Sequence, residues 1–114
     1  YLHYSLTPNN NGAKAPRNNK MRQIEEQMNQ AIIHKNTWSK DNTKVMFLPQ
    51  LDQSYIYLHG HQIALYDHTE LRVMVNLDTL AQWPTVTTKS RLRALGVDVY
   101  TRKGITFVNN KEVI

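Results

Sequence analysis

Between residues 43 and 77 the chain is cut into short apolar-containing runs, each bounded by a turn signal. This feature limits the fold more than any other, because runs of that length with period-2 alternation pair as short antiparallel strands and need a cover on one face. Lys44–Leu48 is one run, stopped by Pro49. Tyr55–Leu58 and Gln62–Tyr66 flank His59-Gly60-His61 and predict a hairpin with Gly60 in the turn. Asp67–Glu70 is a turn before Leu71–Leu77, where Val73, Val75 and Leu77 share one face while Arg72, Met74 and Asn76 share the other.

Upstream the period is helical. Met21, Ile24, Met28, Ala31, Ile32 and Lys35 fall on one stripe, Ile33 widens it, and the opposite face is rich in Gln, Asn and Glu. Asn19 can cap this helix, which runs to Lys35. Its methionines read either as core or as an adaptable docking surface. Asn36–Asn42 reads as a polar loop carrying Trp38, an anchor for the core or for a ligand. Residues 1–18 contain Pro8, Pro16 and the breaker Asn9-Asn10-Asn11-Gly12, and read as a flexible basic arm.

Downstream, Trp83–Gly96 is a turn followed by a short helix. Pro84 breaks strand pairing, Thr87 or Thr88 offers a hydroxyl cap, and Gly96 suits the left-handed residue that ends a helix. Leu92 and Leu95 give an apolar edge. Lys89 and Arg93, four apart, are expected together on the open side. Arg91 borders the apolar edge, so its stem is expected to pack and its head to be held by carbonyls or an acid. Val97–Thr101, a turn at Arg102-Lys103-Gly104, and Ile105–Val108 form a last hairpin. The predicted fold is α+β: a single domain over 19–114 with a mostly antiparallel sheet of about five or six short strands. The 19–35 helix and the 88–95 helix pack on it.

At 114 residues the chain holds one domain with a modest core. It has no cysteine, so disulfides and thiolate metal sites are excluded. No apolar run reaches the roughly 18 residues of a membrane span, and nothing resembles a signal peptide. A cytoplasmic location follows as the expectation. Because the chain opens on Tyr1 rather than Met, an initiator or a longer leader is expected to have been lost or left outside the numbering. The net charge of +5 comes from the two ends. Residues 1–24 carry Lys14, Arg17, Lys20 and Arg22 without an acid, residues 25–83 are net acidic, and residues 84–111 set six bases against Asp98. Such polarity predicts an electropositive surface for phosphates or for an acidic protein. The plainer reading is a well-solvated surface.

Three stretches carry a resemblance. Asn42-Thr43-Lys44-Val45, Leu58-His59-Gly60-His61-Gln62-Ile63-Ala64, and Trp83-Pro84-Thr85-Val86-Thr87-Thr88-Lys89-Ser90-Arg91-Leu92, followed by Tyr100, resemble the recurring marks of small uncharacterised proteins of tailed bacteriophages. The likeness spans roughly residues 42–108 and leaves the arm and first helix outside. Two positions depart from that pattern: Arg93 stands where Asn is typical, and Gln82 where Gly commonly precedes the Trp. The resemblance implies a phage protein acting in the cytoplasm of an infected bacterium. It supplies no catalytic residues.

The residues themselves point to binding rather than catalysis. Ser54 and Ser90 sit in no nucleophile elbow, and no phosphate-binding glycine loop occurs. His59, His61, His68 and Asp67 could meet at a metal only if the turns fold together, and their spacing is not that of a metal motif. No metal or other cofactor is therefore expected. The nucleic-acid reading rests on Lys89, Arg91 and Arg93 of the short helix, Arg102 and Lys103 of the hairpin tip, and Lys14, Arg17, Lys20 and Arg22 of the arm region. The Lys89 and Ser90 amides are added as helix-start donors. Trp83 and Tyr100 would stack on bases if exposed, although such rings are more often core. DNA or RNA is the favoured partner. The alternative is a host or phage protein, with this domain occupying an enzyme's surface and modulating it.

Overall fold

The computed structural model describes residues 2–5 and 19–113, with side chains from Arg22 onward. The described chain runs β1 (Leu2–Ser5), α1 (Asn19–Ile33), β2 (Trp38–Lys40), β3 (Thr43–Leu48), β4 (Gln53–Leu58), β5 (His61–Asp67) and β6 (Arg72–Val75). It continues α2 (Leu77–Gln82), α3 (Val86–Ala94), β7 (Val99–Arg102), β8 (Ile105–Val108) and β9 (Lys111–Glu112). These strands form two antiparallel sheets: six strands in the order β1-β6-β5-β4-β3-β2, and three in the order β7-β8-β9. The α+β class expected from the sequence is the one observed. The last hairpin acquires a third strand and stands as a sheet of its own. Leu2–Ser5, assigned to the arm by sequence, pair with β6, whereas residues 6–18 lie outside the described residues.

Turn chemistry sets the register of the hairpins. His59-Gly60, Lys103-Gly104 and Asn109-Asn110 each place two consecutive residues at positive φ. That is the type I′ geometry, whose twist matches the strands it joins. Gly60 at φ +80 is suited to its place because a side chain is strained there. In the larger sheet the β4–β5 register shifts by a bulge between Ile56 and Tyr57, and the pairing sets Val45, Ile56, Ala64 and Val75 side by side across four strands. All four are fully buried. The next row, Met46, Tyr55, Leu65 and Met74, points to the opposite face.

α1 covers the buried row with Ile24, Met28, Ala31 and Ile32, the stripe read from the sequence. Two details differ. Ile33 does not widen the stripe, being 58% exposed. Lys35 leaves the helix at φ +57, closed by Asn36 N–H donating to Ala31 O (2.9 Å) and Lys35 N–H to Ile32 O (3.1 Å), a Schellman ending. Trp38–Lys40 are likewise not a loop but an edge strand on β3, and Trp38 packs half-buried against the core. β6 stops at Val75 because Asn76 caps α2, its Oδ1 accepting from Thr79 N–H (3.1 Å).

The cap of α3 is Thr85 rather than Thr87 or Thr88. Its Oγ1 accepts from Thr88 N–H at 3.1 Å. Gly96, at φ +94, ends the helix as expected. Thr88, Lys89, Ser90, Arg91 and Leu92 are all buried, so this turn of the helix is enclosed on every side, and four of its five residues are polar. The centre of that turn is Arg91. Its Nη1 donates to Glu25 Oε2 (2.9 Å), its Nε to Thr43 Oγ1 (2.9 Å) and its Nη2 to Asn42 Oδ1 (3.4 Å). Ser90 Oγ donates to the same Glu25 oxygen, and Asn29 Nδ2 donates to Ala94 O (3.0 Å). α1, β3 and α3 are thus joined at one buried ion pair, as the sequence position of Arg91 predicted.

Removing one partner of such a pair leaves a buried charge without compensation. Arg91→Ala is expected to lower the unfolding free energy by about 3–5 kcal/mol in urea titrations. Arg22→Ala, which breaks the exposed α1 pair with Glu26 (3.5 Å), is expected to stay within about 0.5 kcal/mol. Similar losses for the two variants would refute the central role of Arg91.

Candidate nucleic-acid interface

α3 and β7 run antiparallel along a common seam. Arg93 Nε donates to Val99 O (2.8 Å), and one helical turn earlier Lys89 Nζ donates to Thr101 Oγ1. Four helical residues advance about 6 Å and two strand residues about 7 Å, so helix and strand stay in step. Past Thr101 the strand runs on toward the N-terminal end of α3, whose cap is Thr85.

This seam sorts the predicted basic residues. Arg93, Arg102 and Lys103 are exposed, as is Lys111 on β9. None of the four forms an ion pair among the described residues. Lys89 corrects the expectation of an open position: β7 covers it, leaving it 8% exposed. Burial, followed by the nearby Arg93 charge, holds its amine below the ordinary lysine value. Arg91 is the second correction as a phosphate contact, because its guanidinium is spent on Glu25, Thr43 and Asn42 inside the core. Lys89 N–H donates to Thr85 O (3.0 Å), so this amide is no free helix-start donor, and Ser90 lies deeper in the helix. Arg22 is exposed but paired with Glu26. Lys14, Arg17 and the side chain of Lys20 lie outside the described residues.

The two candidate stacking rings differ in environment. Tyr100 is half-buried and lies flat on Phe107, with centroids 5.2 Å apart and planes at 8°. Its hydroxyl donates to Asn110 Oδ1 (2.9 Å). Trp83 is 44% exposed and stacks on His61, with centroids 4.8 Å apart and planes at 29°. Beside this ring pair lies a cleft of about 230 Å³, floored by Leu58 and Ile63 and edged by His59, Thr79 and Thr85. The hairpin stretch 58–64 and the turn-helix stretch 83–92 therefore meet at one place. Sequence reasoning missed the cleft because its Thr79 wall belongs to α2, and Asn76-Leu77-Asp78-Thr79 was the unread capping signal for that helix. A broader hollow of about 720 Å³ lies between α1 and β2, lined by Gln27, Gln30, His34 and Trp38 among others.

The histidines do not converge. His61 opens β5 and His68 follows its end, separated by the 7 residues of that strand, a span of about 23 Å. Among the described residues no group of three or more His, Asp or Glu side chains could hold a metal. Ser54 Oγ lies 2.8 Å from His68 Nε2, but Ser54 is fully buried, so the pair ties the turn after β5 to β4. Burial holds the His68 imidazole below its ordinary value. Asp67 accepts N–H bonds from Glu70 (3.1 Å) and Thr69 (2.8 Å) in that turn, which hold its carboxyl low. Among the described residues no helix is long and apolar enough to cross a membrane.

A family model described as Kyanoviridae Gp96 protein matches residues 21–114. The match takes in most of α1, the larger sheet apart from β1, and the whole of the smaller sheet. No curated protein and no solved structure matches the chain.

Lys89 makes a pH dependence with a defined sign. Its folded value lies below the 10.5 of a free lysine, so over the interval between the two values the unfolded chain binds more protons. Stability contributed at this position therefore rises with pH through that interval and is lowest below it. Lys89→Met is expected to raise the urea midpoint at neutral pH and to flatten the midpoint-against-pH curve on the alkaline side. An unchanged curve would show that the amine is not held low.

Proposed function

The chain belongs to the Kyanoviridae Gp96 family, a cyanophage family, and on that premise we propose that it is a phage accessory protein that binds nucleic-acid phosphates. The observation that carries this reading is the α3–β7 seam. Arg93 near its one end and Arg102 and Lys103 near the other are exposed, with no carboxylate paired to them among the described residues. Guanidinium and ammonium groups spaced along a ridge match the repeated charge of a sugar–phosphate backbone, and each contact releases a condensed counterion. The chain's net charge of +5 adds a long-range attraction. The basic residues of the arm region, Lys14, Arg17, Lys20 and Arg22, supply further contacts in this reading. DNA and RNA present the same phosphates and are treated alike. The protein acts inside the infected cell.

A second reading has its own observation. The hollow between α1 and the edge strand β2 offers amide side chains, Trp38 and the unpaired side of a sheet. That combination suits an added strand from a host or phage protein.

The two readings separate in solution. Three phosphate contacts give a slope of roughly −2 to −3 in log affinity against log salt. Raising salt from about 50 to 200 mM is then expected to weaken oligonucleotide binding roughly thirtyfold. The Arg93→Ala/Arg102→Ala/Lys103→Ala protein is expected to lose most of that salt dependence along with the affinity. No binding of DNA or RNA, combined with nuclease-resistant and salt-insensitive capture of one infected-cell protein, would sink the phosphate reading in favour of the second.

A further inference from the structure

We infer that the cleft beside Trp83 receives a single unstacked base of a nucleic-acid strand whose phosphates lie on the α3–β7 ridge. The inference rests on the phosphate reading and specifies the strand as single and the base as a separate contact.

Three observations place the two contacts together. First, Trp83 does not fill the cleft. It stands at the mouth, 44% exposed, with His61 flat against it. The exposed part of so large a ring is apolar surface that a stacked base would remove from water. Second, the cleft has the size and lining of a site for one flat heterocycle. Its volume of about 230 Å³ is small, and its lining of Leu58, Ile63, Thr79 and Thr88 is mainly apolar, with the Trp83–His61 ring pair on one side. Apolar walls beside an aromatic ring suit the flat, apolar face of a heterocycle.

Third, the basic hairpin tip points to the same end of α3. The Arg93–Val99 and Lys89–Thr101 contacts set β7 antiparallel to the helix. Beyond Thr101 the strand therefore continues, through Arg102 to Lys103, toward the end of α3 that starts at Thr85, a residue of the cleft wall. Arg93 lies eight residues along the helix, about 12 Å away. A strand laid on the ridge thus passes the cleft mouth. A duplex cannot use it, because its bases are stacked and paired inside, whereas a single strand can turn one base outward.

The test uses the full chain carrying Trp38→Phe, so that Trp83 is the remaining tryptophan of the two. A short oligothymidylate is compared with a sugar–phosphate strand of equal length that lacks bases. The base-bearing strand is expected to quench Trp83 and to bind about tenfold more tightly than the abasic one. Trp83→Ala and, separately, His61→Ala are expected to bring its affinity down to the abasic level while leaving the salt slope unchanged. Both substitutions are at exposed positions, and a urea titration confirms that each variant is folded. Equal affinity for the two strands, with no effect of either substitution, would overturn the base contact and leave the phosphate reading standing. Binding of neither strand overturns both. Quenching by N-acetyl-leucinamide but not by oligothymidylate would assign the cleft to a protein side chain, and that too overturns the proposal.

Discussion

Glu25 and Arg91 meet where almost everything around them is excluded from water, and the geometry of the domain depends on that meeting. A lone carboxylate or guanidinium in such a place would be strongly destabilising. Here each charge finds the other and neutral partners besides: Ser90 on Glu25, Thr43 and Asn42 on Arg91. Because the partners come from α1, β3 and α3, a shift of any one element strands a charge or a hydroxyl. Apolar packing of Met28, Ile32, Val45 and Leu92 supplies attraction without much direction. The ion pair supplies direction, in that it fixes how far along each other the two helices slide.

That same polar centre explains what the sequence did and did not disclose. The Thr43–Val75 hairpins were legible because apolar alternation and short turns, of two residues at His59-Gly60 and four elsewhere, both act locally. The α1 stripe was legible because Ile24, Met28, Ala31 and Ile32 recur at helical spacing. α3 could not be oriented in this way. Its consecutive residues Thr88, Lys89, Ser90, Arg91 and Leu92 are buried all round the helix, so it has almost no amphipathic asymmetry. Periodicity therefore assigned Lys89 to solvent when β7, distant in sequence, covers it. Arg91 was readable as a tether because it borders Leu92, but its acid was not, since Glu25 lies on the side of α1 read as polar. α2 and β2 were lost for another reason: six helical residues and three strand residues each make fewer than two repeats of their period. Only the Asn76 cap marked α2, and nothing local marked Trp38–Lys40.

For the candidate interface the division is similar. Charge polarity along the chain pointed to the C-terminal third, and the exposed cations there include Arg93, Arg102, Lys103 and Lys111. The cleft was not legible, since it is assembled from β4, β5, α2 and the start of α3. Its parts had been noticed separately as a hairpin and a turn-helix. The turn before α3 thus serves two purposes, with Thr85 closing the helix and Trp83 standing over the cleft.

The span between the paired charges also bears on the order in which the molecule assembles. Glu25 and Arg91 are 66 residues apart, whereas β3 to β6 pair with neighbours joined by short turns. At ribosomal speeds of about 5–20 residues per second, roughly 3–13 seconds separate synthesis of the acid from that of its base. The meander closes in microseconds to milliseconds once it has emerged. Throughout the remaining interval α1 carries a carboxylate that it cannot bury without cost. Until Arg91 is available, α1 can cover the apolar row of Val45, Ile56 and Val75 only with the Glu25 carboxylate lacking its guanidinium.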